Sequence, residues 1–81
     1  MAKPSKHATV SPVPRAFGMA VRKVRLSRGV SQEALADLAL LDRSYMGGVE
    51  RGEHNLAIIN IAKIASALDL TIAELMAQAE I

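Results

Sequence analysis

The chain has 81 residues, no cysteine and two histidines, which is enough for one domain and excludes disulfide frameworks, zinc–thiolate sites and thiol catalysis. Its net charge of +2 hides an asymmetry: residues 1–30 hold seven bases and no acid, whereas residues 31–81 hold three bases and eight acids. A basic half suits a polyanionic partner as well as it suits a solvated tail and helix face, and no apolar run approaches the roughly 18 residues of a membrane-crossing helix.

Met1 to Pro14 carries three prolines and no hydrophobic periodicity. It reads as a flexible basic N-terminal arm, residues 1–14, whose Lys3 and Lys6 are suited to neutralising phosphates. No apolar core follows those lysines, so the arm is not a secretory leader. The domain is expected over residues 15–81. From Arg15 the pattern turns helical: Phe17, Ala20, Val21 and Val24 share one side, and Arg22, Lys23 and Arg25 the other. Gly29 is placed to end this helix in a left-handed turn. Ser31 is a natural N-cap for a second helix opening with Gln32 and Glu33 and lined by Leu35, Ala36, Leu38 and Ala39.

Leu40 to Asp42 makes a short turn, and Asp42 caps a third helix from Arg43 to Glu50 that Gly52 ends. After a loop at His54 and Asn55, the run Ile58, Ile61, Ile64, Ala65 and Leu68 recurs at three- and four-residue steps and marks a fourth helix, closed by Asp69. Thr71 and Glu74 form a capping box for a fifth, with Ile72, Leu75, Met76 and Ala79 along one side. There is no strand signal, so the fold class is all-α, five short helices around one core.

The second and third helices, with three residues of turn between them, have the layout of a helix-turn-helix over about residues 32–51. In that unit the first helix braces across the DNA backbone and the second puts its N-terminal side chains into the major groove. Its inside must be small and apolar, which suits Ala36, Leu41 and Val49. Short helical hairpins of other kinds share this spacing. The residues themselves are more specific. Ser31-Gln32-Glu33-Ala34-Leu35-Ala36, then Leu41-Asp42-Arg43-Ser44-Tyr45, Val49-Glu50-Arg51-Gly52 and Asn55, resemble the Cro/C1-type (XRE) family. The likeness runs on through Ile64-Ala65, Ala67-Leu68 and Glu74-Leu75 and covers the chain from about residue 17. Within that family, Leu41 to Tyr45 with Gly48-Val49-Glu50-Arg51-Gly52 looks like the controller proteins of restriction–modification systems, a stretch that other members share.

The resemblance implies a five-helix lambda-repressor-like domain and a role for each motif residue. Gln32 is implied to contact phosphate, from its side-chain amide and the helix N-terminus, with a plain surface position as the alternative. Arg43 is implied to read a base, since a guanidinium pairs bidentately with guanine O6 and N7; an ion pair with Asp42 or a phosphate contact are the alternatives. Ser44 and Tyr45 suit phosphate, Ser44 also a base edge, and Tyr45 also suits the core. Gly47 and Gly48 replace the longer polar residues usual there. Either the backbone approaches DNA at these glycines, or Arg43, Ser44 and DNA shape carry recognition. Arg51 and Asn55 are expected on the DNA backbone. Glu50 would repel phosphate, and the family likeness pairs it with Arg25 as a structural salt bridge. Arg22 and Arg28 suit a basic face or solvent equally.

Ile72, Met76 and Ala79 exceed what one core needs and are expected at a homodimer interface, alongside the alternative of ordinary packing on the monomer. The function implied is a sequence-specific transcriptional regulator, a homodimer on a roughly palindromic operator, controlling its own promoter. The alternative is an antitoxin that binds a toxin and its own promoter. The implied partners are double-stranded DNA, a second copy and RNA polymerase, in the cytoplasm at the nucleoid, with no membrane. No catalytic, cofactor or metal constellation is present: His7 and His54 are too far apart for a usual metal site, and the carboxylates are scattered.

Overall fold

Five helices and no strand make up residues 12–81, the part of the chain that the computed structural model describes. They are α1 (Val13–Ser27), α2 (Gln32–Ala39), α3 (Arg43–Glu50), α4 (Ile58–Ala67) and α5 (Ile72–Ala79). Most of the expected arm, residues 1–11, lies outside the described residues. Its last two, Val13 and Pro14, belong to α1, which starts earlier than the apolar pattern indicates. Proline suits a first turn, where a backbone N–H has no intrahelical partner to lose.

Local chemistry sets the other boundaries. α1 gives out at Arg28, and Gly29 takes a φ of 67°. Ser31 accepts the Ala34 amide at 3.0 Å and starts α2. α2 ends on Leu40 with a φ of 57°, a left-handed cap made by a residue other than glycine, and the Leu41 amide closes back on Ala36 at 2.9 Å. The Asp42 carboxylate takes the amides of Ser44 at 3.0 Å and Tyr45 at 3.3 Å and so starts α3 at once. At α5 the Thr71 hydroxyl takes the Glu74 amide at 3.0 Å, while the Glu74 carboxylate takes the Thr71 amide at 2.8 Å.

All five helices contribute to one core. Val21, Leu35, Met46, Val49, Ile64 and Leu75 are fully covered, with Phe17, Val24 and Leu68 close behind. α1 lies across α3, and Gly18 makes this possible. A Cβ there would run into the carbonyl oxygens of Val49 and Glu50, the second at 2.8 Å. Ile58, which periodicity assigns to the covered side of α4, stands 70% exposed, and Ile59 beside it 61%. This first turn of α4 has no side-chain cap.

Candidate nucleic-acid interface

α2 crosses α3 so that Gln32, at the start of α2, lies beside Gly47 and Glu50 in the second half of α3. Gln32 from α2 and Arg43, Ser44, Gly47 and Arg51 from α3 and its cap line one open polar depression. Arg43 and Ser44 are exposed at its edge, and Asp42 is committed to the α3 amides. Among the described residues the salt bridges are Arg25–Glu50 and Arg51–Glu53, so Arg43 keeps an unneutralised charge. Gly47 admits its neighbours closely: a Cβ there would sit 3.1 Å from Arg51 Nη1 and 3.3 Å from Gln32 Oε1. The Arg51 guanidinium thus lies over the backbone of α3.

Arg51 is held there by Glu53. Its Nε donates to Oε2 at 2.8 Å and its Nη2 to Oε1 at 3.2 Å. The hydrogen bonds, and then the charge, raise Arg51 above its ordinary range. The same hydrogen bonds hold the Glu53 carboxyl below the usual carboxylate range. A guanidinium has two bidentate edges, and Glu53 occupies the Nε/Nη2 edge. The Nη1/Nη2 edge remains for an anion in the depression.

Beneath this surface lies a buried strut. Arg25 of α1 donates from Nε to Glu50 Oε2 at 2.7 Å, from Nη2 to Glu50 Oε1 at 3.0 Å and from Nη1 to the Val30 carbonyl at 3.0 Å. Glu50's hydrogen bond, more than its charge, holds Arg25 above its ordinary range, against the opposite pull of burial. Gln32 joins the pair, its Nε2 donating to Glu50 Oε1 at 3.1 Å. One of its two amide hydrogens is thereby spent inside the protein and one is left for a phosphate. The residue pattern had marked Gln32 as a phosphate ligand and missed its place in this network of α1, α2 and α3.

Tyr45 is half-buried. Its ring stacks on His54 with centroids 4.7 Å apart and planes 29° apart, and its Oη accepts a hydrogen bond from Asn60 Nδ2 at 3.2 Å. Gly48, expected with the DNA-facing residues, is buried and faces this loop: a Cβ on it would strike the His54 imidazole, so its small size seats His54 against α3. His54 and Asn60 were missed as members of the site. The only signal for them in the sequence is that both are polar residues next to a glycine-containing helix or an apolar run. Asn55 is exposed in the loop, outside the residues that line the depression.

Of the expected dimer residues, Ile72 and Met76 are half-buried and pack against the core, and half-buried Ala79 lines a groove with α1. The prominent exposed apolar side chains are Ile58 and Ile59 on α4, Met19 and Leu26 on α1, and Leu38 and Leu40 at the end of α2. Among the described residues no helix is long and apolar enough to cross a membrane.

A helix-turn-helix family profile matches residues 21–75, which takes in both helices of the depression and the strut beneath it. The control protein C.MunI of a Mycoplasma species is 35% identical over 65 residues, spanning 79% of this chain and 88% of that one. The crystal structure of the restriction–modification controller protein C.AhdI from Aeromonas hydrophila superposes with a TM-score of 0.74 at 52% identity, covering 76% of this chain and 94% of that one. The controller protein C.Esp1396I, bound to a 25 base pair operator site, superposes with a TM-score of 0.77 at 29% identity, covering 84% of this chain and 90% of that one.

Proposed function

This chain belongs to the Cro/C1-type helix-turn-helix family, and on that premise we propose that it is a controller-type transcriptional regulator acting on its own promoter. It is a binding protein of the cytoplasm, and its ligand is double-stranded operator DNA. The observation that carries this reading is the depression along α3, where the unpaired Arg43 at its start and the open edge of Arg51 at its end lie on one face beside Gln32 of α2. α3 enters the major groove. Arg43 reads a base edge, and Ser44, Tyr45, Arg51 and the remaining Gln32 N–H fix the helix on phosphates. Gly47 keeps the α3 backbone low so that Arg51 and Gln32 lie close beside the groove.

The protein acts as a homodimer. Two recognition helices about 34 Å apart then read a roughly palindromic site. Ile58 and Ile59 supply the exposed apolar surface for that contact, in the first turn after the loop that follows α3. Ile58→Asp with Ile59→Asp should leave a folded monomer in sedimentation and weaken operator binding. A dimer that persists would place the contact elsewhere.

The primary test is a salt-dependent titration against the duplex upstream of the protein's own gene and an unrelated duplex. The wild type should prefer the promoter. Arg43→Ala should flatten that preference by about 1–3 kcal/mol, whereas Gln32→Ala should weaken both duplexes alike. Equal binding to both duplexes, unchanged by Arg43→Ala, would remove α3 as the reading element.

A further inference from the structure

Tyr45 sits in the third position of α3, with its ring held on one face by His54 and its oxygen engaged by Asn60 of α4. The direction of that last hydrogen bond matters chemically. A phenol oxygen carries one hydrogen, and it prefers the plane of the ring, on one of two sides. Asn60 approaches as a donor, from Nδ2 at 3.2 Å, so it takes a lone pair on its own side. The phenol hydrogen must then turn to the opposite side, away from α4. Among the described residues, no bond donated by this hydroxyl to another protein group is present.

We propose that Asn60 is a positioning residue for DNA recognition: by donating to the Tyr45 oxygen, it fixes that hydroxyl as an outward donor to a phosphate. The proposal rests on the DNA-binding reading of α3 and assigns a part in it to a residue outside the helix-turn-helix. His54 serves the same end sterically, because the stacked ring cannot swing away, and Gly48 leaves the room His54 needs. A phosphate accepts and never donates, so only one orientation of the hydroxyl is productive. Any residue at position 60 that accepts instead of donating inverts the phenol and points its hydrogen inward.

The test is a double-mutant cycle read by fluorescence anisotropy on the promoter duplex, using the full chain. Tyr45→Phe should lose about tenfold in affinity, the order expected for one hydrogen bond to a charged acceptor. Asn60→Asp should lose about as much again in the Tyr45 protein, because its carboxylate accepts the phenol hydrogen. It should lose much less in the Tyr45→Phe background, where only its charge acts. Asn60→Ala, which frees the hydroxyl without inverting it, should cost about two- to threefold. Matching melting temperatures would show that all variants fold as the wild type does.

Equal losses for Asn60→Asp in both backgrounds would mean that it acts by charge alone, and would overturn the proposal. So would an unaffected Asn60→Ala together with an unaffected Asn60→Asp. If Tyr45→Phe costs nothing, Tyr45 touches no phosphate and the proposal fails with it. Promoter selectivity that Arg43→Ala still abolishes would show that the wider DNA-binding reading survives that failure.

Discussion

Two arginine–glutamate pairs lie at the two ends of one short stretch, Glu50 to Glu53, and both use the same chemistry. In each, a guanidinium presents its Nε/Nη2 edge to a carboxylate, with closest approaches of 2.7 Å for Arg25–Glu50 and 2.8 Å for Arg51–Glu53. Their surroundings differ. The side chains of the first pair are 9% and 3% exposed, those of the second 62% and 55%. The first pair is also closed by its neighbours, since Val30 takes Arg25 Nη1 and Gln32 donates to Glu50. The second leaves an arginine edge open over Gly47. The geometry of an ion pair therefore does not say what it is for. Burial and the remaining hydrogen bonds make one pair a strut and leave the other a solvent-facing pair with one guanidinium edge unused.

Breaking the strut should have the largest effect. Glu50→Ala leaves the Arg25 charge buried without a partner, which costs about 3–5 kcal/mol. A domain of this size has on the order of 5 kcal/mol in total. Urea denaturation should find the variant largely unfolded at room temperature. A loss below about 1 kcal/mol would mean that water reaches Arg25 and that the two pairs are alike after all. Next comes Gly18→Ala, which attacks the same α1–α3 crossing through packing and leaves the charges in place. The added methyl meets backbone carbonyls that have no rotamer to change, for a loss of about 1–3 kcal/mol. Together the two substitutions separate how much of the crossing is electrostatic from how much is close contact.

Much of this arrangement is legible in the residues, and the division follows range. Caps are local chemistry, so Ser31, Asp42 and the Thr71–Glu74 box announce α2, α3 and α5 within a few residues of where they begin. The motif residues Gln32, Arg43, Ser44, Gly47 and Arg51 come together because the short turn after α2 folds α3 back across the start of α2, with Arg43, Gly47 and Arg51 spaced four residues apart along one face of α3. What is not legible depends on which neighbour covers which face. Ile72 and Met76 look surplus on a helical wheel, yet α5 turns them onto the core, while Ile58 looks like core and stands in solvent. Periodicity gives the apolar side of a helix and says nothing of how far the next element reaches along it. Gly18 and Gly48 are silent for the same reason, since their importance lies in residues about 30 and 6 positions away.

The exposed pair should answer substitution in the opposite way. Glu53→Gln should leave the melting temperature unchanged within error, because solvent already screens the pair. It should alter binding, however. With the carboxylate gone, Arg51 carries an unopposed charge toward any phosphate backbone. Affinity for an unrelated duplex should rise, and the slope of log affinity against log salt should steepen by up to about one. The preference for the promoter should narrow accordingly. In an Arg51→Ala background the same substitution should do little more than remove one negative charge, and a large effect there would show that Glu53 acts through some other group.

The smallest effect sharpens the comparison without touching stability. Arg51 holds the Glu53 carboxyl below the usual range through its hydrogen bonds first. A carboxyl whose folded value is depressed keeps its pair at all pH values above the ordinary glutamate range, and loses it only as pH falls through the lowered value. The Arg51–Glu53 contact is therefore intact at neutral pH and opens only as pH falls through that lowered value. Carbon-detected NMR of the Glu53 carboxyl should give a midpoint below that of a free glutamate, returning to the ordinary value in Arg51→Ala. An unshifted midpoint in the wild type would mean that the pair is not formed in solution. Arg51 would then be free before DNA arrives, and the Glu53→Gln variant should bind an unrelated duplex no more steeply with salt than the wild type does.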